Sequence, residues 1–124
     1  MEIYSTKCEI AKLGNLPQIV PILLCDSEFN LHMQELCEFL VISGVVNFVC
    51  FGKNSEVVHD FIDDKLNQNS LSGITTWHVG ETEQDVASFI NVLPNFSKCN
   101  RILLVPLEVN ELCGESILKF QKFL

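Results

Sequence analysis

Residues 19–27, Ile19-Val20-Pro21-Ile22-Leu23-Leu24-Cys25-Asp26-Ser27, decide how this chain folds. Seven apolar residues run without a polar interruption and stop at an Asp-Ser pair. A run this short and unbroken is the signature of a strand buried on both faces, and such strands belong to parallel sheets covered by helices. Pro21 weakens a fully central position, but it lies near the start of the run, where a missing amide is tolerable. Apolar, β-branched runs recur at residues 45–51, 74–79 and 102–107, each flanked by Gly, Pro, Asn or Asp.

The stretches between these runs carry helical spacing. Phe29, Met33, Leu36, Cys37 and Leu40 line one face of a helix expected over about residues 27–43, with Gly44 as its left-handed stop. A second helix, about residues 55–66, turns Val58, Phe61 and Ile62 inward and Glu56, Asp60, Asp63 and Asp64 largely outward. Val86, Phe89, Ile90 and Leu93 define a third, started by a Thr82…Asp85 capping pair and stopped by Pro94. A last helix, about residues 110–123, offers Cys113, Ile117, Phe120 and Leu124 to the core, with Lys119 and Lys122 near its C-terminus, where the helix dipole favours cations.

Alternation of this kind predicts one α/β domain over residues 1–124, with four β/α units in 17–124 and an N-terminal edge segment in 1–16. The expected fold is a small, open, mainly parallel four-stranded sheet with helices on both faces, Rossmann-like or flavodoxin-like. Its simplest strand order is 2-1-3-4. Ile3, Tyr4, Cys8 and Ile10 are candidates for an extra edge strand.

Composition narrows the function classes. Sixteen acidic side chains against eight basic ones give a formal charge of −8, which opposes nucleic-acid binding and favours a basic protein partner. No apolar run approaches the roughly 20 residues needed to cross a bilayer, so no membrane partner is expected. The N-terminus has neither a basic nor an apolar leader region, and the expected compartment is the cytoplasm. Six cysteines, none in a C-x-x-C pair, read as reduced and mostly buried, with no metal site and no cofactor.

With a 2-1-3-4 order the switch point lies between the first and third strands, and the crevice at their carboxyl ends is the default ligand site. That crevice would gather Asp26, Ser27, Lys53, Trp77, His78 and Glu81, with Glu108 at its far side. Cys25, Asp26 and His78 are the candidate catalytic set, a thiol, a carboxylate and an imidazole able to form a nucleophilic arrangement if Cys25 were exposed. The bland alternative leaves Cys25 as a buried strand end and His78 as a loop tie to Asp26 or Glu81. Phe51-Gly52-Lys53-Asn54-Ser55 is placed like a phosphate-binding loop, but it lacks the glycine and Ser/Thr pattern of a P-loop. Glu56, Asp60, Asp63 and Asp64, with His59 among them, form an acidic helix face suited to a basic protein or a divalent cation, with plain solvation the commoner role of such a face.

Two segments carry a likeness. Gly73-Ile74-Thr75-Thr76-Trp77-His78, together with Phe51-Gly52 and Val58-His59-Asp60-x-Ile62-Asp63 upstream, resembles an uncharacterised family of small bacterial α/β proteins. The likeness spans about residues 19–93 and implies no activity. It does imply that His59, Asp60, Trp77 and His78 belong to a recurring pattern. Where that pattern would place a denser acidic run after the histidine, this chain has Val79-Gly80.

No complete catalytic motif is visible, so the chain reads more readily as a small acidic protein-binding module, an inhibitor or immunity-type neutraliser, than as an enzyme. The rival readings are a small-molecule or nucleotide-binding domain, or small enzyme, using the crevice around Asp26 and His78, and a homo-oligomeric scaffold such as a homodimer joined at a sheet edge.

Overall fold

The computed structural model describes residues 2–4, 6–93, 101–108 and 111–124. Five strands form one parallel sheet: β1 (Glu2–Ile3), β2 (Ile19–Leu24), β3 (Asn47–Phe51), β4 (Ile74–His78) and β5 (Arg101–Pro106). The helices are α1 (Lys7–Ala11), α2 (Leu31–Ile42), α3 (Ser55–Gln68), α4 (Glu83–Val92) and α5 (Glu111–Phe123), with a 3-10 turn at Leu16–Gln18. The α/β class, the parallel sheet and the helices on both faces agree with the sequence expectation.

The strand order differs from it. Across the sheet the strands run β1-β5-β2-β3-β4, so the four main strands read 3-2-1-4 rather than 2-1-3-4. This is the Rossmann half-order, and it moves the switch point to the gap between β2 and β5. The physical reason lies in strand composition. β4 is Ile-Thr-Thr-Trp-His, with four of its five residues partly or fully exposed, and such a strand suits an edge. β5 is Arg-Ile-Leu-Leu-Val-Pro with its last four residues buried, and it needs neighbours on both sides.

Period-two alternation sorts the side chains into two cores. Ile19, Leu23 and Cys25 from the β2 segment, with Phe48 and Cys50 from β3, pack beneath α2 and α3. Val20, Ile22 and Leu24, with Val49 and Phe51, pack beneath α4 and α5. Right-handed crossovers dictate the split, because the step from β4 back to β5 reverses direction and places α4 on the opposite face from α2 and α3.

Sequence signals set most element ends. Asn30, not the Ser27 region, starts α2, its side chain accepting from the Met33 amide at 3.0 Å. Gly44 has φ +98 and ends α2 as expected, with its amide on Val41 and the Val45 amide on Leu40. Thr82 and Asp85 form the anticipated capping box; Pro94 lies outside the described residues. The N-terminal edge strand exists but spans only Glu2–Ile3, while Cys8 and Ile10 lie in α1, where Ile10 is fully buried. Pro21 is tolerated in a central strand because the ladder to β3 begins only at Ile22.

Gly73 seats β4. A methyl group there would meet the Val46 carbonyl oxygen head-on, while the neighbouring Ile74 amide donates to that same oxygen at 2.9 Å. Gly73→Ala should therefore push β4 away from β3 and cost about 1–3 kcal/mol. Urea unfolding checks this, and an unchanged midpoint would show that β4 relaxes freely at its start.

Candidate functional site

Alternation along β4 gives its two faces different work. Thr76 and His78 share one face, where Thr76 Oγ1 and His78 Nε2 lie 3.0 Å apart. Trp77 points to the other face and packs against His59 of α3, ring centroids 4.4 Å apart and planes tilted by 50°. The expectation that Trp77 and His78 line one crevice thus fails on strand geometry.

The His78 face opens into a crevice of about 380 Å³ at the carboxyl ends of β2, β3 and β4. Of the predicted crevice residues, Asp26, Lys53, His78 and Glu81 line it, while Ser27 and Trp77 do not. Its far wall is α5, which contributes Glu115, Ser116 and Lys119, and α4 adds Glu83. Glu108, exposed after β5, is not part of the lining.

Two short ties hold the floor. His78, 5% exposed, places Nδ1 2.8 Å from Glu81 Oε2, so both ring nitrogens have protein partners. Asn54 Nδ2 donates to the Ser27 carbonyl at 2.8 Å, fastening the loop after β2 to the loop after β3. Gly52, at φ +120, leaves room for the Asp26 carboxylate, which would lie 2.7 Å from any Cβ at that position. No side chain could take this place without displacing Asp26.

The candidate catalytic set does not assemble. Cys25 belongs to the core under α2 and α3, the opposite side of the sheet from His78, and its thiol donates to the Leu23 carbonyl at 3.1 Å. His78 engages Glu81 rather than Asp26. The loop placed like a phosphate cradle is also committed internally: the Gly52, Asn54 and Ser55 amides donate to the carbonyls of His78, Cys25 and Gly52. Few free amides remain there for an anion.

On the other face of β4, α3 presents the acidic residues. His59 Nδ1 lies 2.9 Å from Asp60, and its Nε2 lies 3.3 Å from Asp63. Glu56 and Asp64 are exposed on the same helix. Among the described residues no group of three or more His, Cys, Asp or Glu side chains is arranged to hold a metal ion. None of the described helices is long and apolar enough to cross a membrane.

Glu83 and Ser116 escaped the sequence reading, although a signal existed. Glu83 shares its helical stripe with buried Val86, Ala87 and Ile90, and Ser116 shares one with buried Cys113 and Phe120. A polar residue on an apolar stripe marks either a buried contact or a cavity wall.

Fold and site together define a Rossmann-like α/β domain with a charged crevice at the carboxyl edge of its sheet. The chain belongs to the domain of unknown function family DUF7684, whose family model matches residues 3–110. This agrees with the resemblance to an uncharacterised family. No curated protein and no solved structure matches the chain.

The core thiols give a pH signature. Burial, reinforced by the neighbouring Cys25, pushes the Cys37 thiol far above its ordinary value of 9.0, and burial with a hydrogen bond to Cys25 does the same to Cys50. Both stay protonated in the folded protein while the unfolded chain ionises. Their stabilising contribution is therefore complete below pH 9.0 and is lost as the pH rises from there toward the folded values. Chemical unfolding above pH 9 should show a decline of about 1.4 kcal/mol per pH unit for each thiol, less steep in Cys37→Ala. In native thiol labelling at neutral pH, exposed Cys8 should react well before Cys25; equal rates would contradict the buried placement of Cys25.

Proposed function

We propose that this domain acts by docking a basic protein partner through the surface that α3 and β4 share, as an inhibitor or immunity-type neutraliser would. The observation that carries this reading is the setting of Trp77. Its indole is 46% exposed on an edge strand, and its ring is backed by His59, which Asp60 and Asp63 hold from both nitrogens. A fixed, half-exposed tryptophan beside carboxylates suits an arginine or lysine, which gains a cation–π contact and a charge-assisted hydrogen bond together. Glu56 and Asp64 extend the negative field, and the net charge of −8 would steer a basic protein inward. Among the described residues no strand pairs with the outer side of β4, so a partner's extended segment has backbone groups to meet there. The free thiols at Cys8, Cys25, Cys37 and Cys50 suit a reducing compartment, and the cytoplasm is proposed as the place of action.

Trp77 is the single tryptophan, so its fluorescence reports on this surface directly. Protein purified from its own host should bring a basic chain at fixed stoichiometry, and adding that chain should change Trp77 emission. Charge reversal at Glu56, Asp60, Asp63 and Asp64 should slow association at low salt by about tenfold or more, with the difference shrinking as salt rises. Trp77→Ala should mainly speed dissociation. An acidic partner, or association indifferent to all five positions, would reject this surface. Self-association through β4 would support the scaffold reading instead.

A further inference from the structure

Among the described residues, His78, Glu83, Ser116 and Ser55 are the buried polar ones, and the first three converge on a single feature, the strand-end crevice. Burying polar groups is costly unless each finds a partner. His78 is satisfied by Glu81 and Thr76. Glu83 is not comparably served. The residue is 9% exposed, shares the crevice with three other carboxylates, forms no ion pair among the described residues, and has as its partner the Ser116 hydroxyl, donating over a long 3.4 Å.

We infer that the crevice binds a small zwitterion of amino-acid size, with a protonated amine on Glu83 and Ser116 and an anionic group toward Lys53 and Lys119. An ammonium supplies the donors that a buried carboxylate lacks, and Ser116 Oγ is free to accept while its O–H donates to Glu83. Asp26, Glu81 and Glu115 together with Glu83 keep the crevice negative overall, four carboxylates against two lysines, which disfavours a nucleotide or any polyanion. Lys53 and Lys119 are exposed at the rim and form no ion pair within the described structure, so they are available to one carboxylate. A volume of about 380 Å³ admits a compact molecule and matches the smaller ligand pockets. The site uses the opposite face of β4 from Trp77, so it stands or falls separately from the docking surface.

Three probes of similar length separate the charge patterns: 4-aminobutyrate, putrescine and glutarate. Titrated into the full chain and followed by amide NMR, 4-aminobutyrate should give saturable shifts centred on Gly80, Glu81 and Ser116, and glutarate none. The isosteric Glu83→Gln should weaken 4-aminobutyrate by about tenfold or more. Lys119→Gln, at the exposed rim, should weaken 4-aminobutyrate without weakening putrescine. The inference is overturned if 4-aminobutyrate gives no saturable shifts, if glutarate binds as well as it does, if putrescine binds more tightly, or if neither substitution changes its affinity.

Discussion

β2 has no side that meets water. Alternate residues from Ile19 to Cys25 pack under α2 and α3, and those between them pack under α4 and α5, while β5 and β3 take its two edges. A strand in that position must be apolar at every residue, must have helices on both faces and must have parallel neighbours joined by crossovers. The two-layered core, the crossover connections and the gathering of polar loops at one end of the sheet all follow from satisfying this strand.

Loops collect at the carboxyl edge because each strand there hands over to a helix or a turn, and their backbone groups need partners that the ladder no longer provides. In this protein the handover is made by exchanging ties between neighbouring loops. The Asn54 side chain holds the loop after β2, the Gly52 amide reaches the His78 carbonyl, and Glu81 braces His78. These ties fasten the loops of the crevice wall to one another, and they also occupy the groups that would otherwise have suggested catalysis or phosphate binding. His78 is held by Thr76 and Glu81 as part of the crevice wall.

β4 gives the molecule two distinct surfaces from five residues. Because successive side chains point to opposite faces, Trp77 joins the acidic face of α3 while His78 joins the crevice below α4 and α5. Adjacent residues that look like one motif in the sequence therefore lie on separate surfaces. The strand lies at the sheet edge, paired on one side and open on the other among the described residues, and Trp77 is left half-exposed there.

The sequence by itself determined the α/β class, the number and approximate bounds of the main strands, the amphipathic helices and several of their ends. Each of these rests on local periodicity or capping, as at Gly44 and the Thr82…Asp85 box. It also pointed to the strand ends as the crevice and to Asp26, Lys53, His78 and Glu81 within it. Tertiary structure alone decided the strand order, because local periodicity does not say whether α4 carries the chain onward past β4 or back across the sheet to the far side of β2. That one reversal brought α5 over the crevice with Ser116 and Lys119, set Glu83 against Ser116, and left β4 at the edge with Trp77 exposed. Pairings between residues as far apart as Glu83 and Ser116 are products of packing, and no local pattern encodes them.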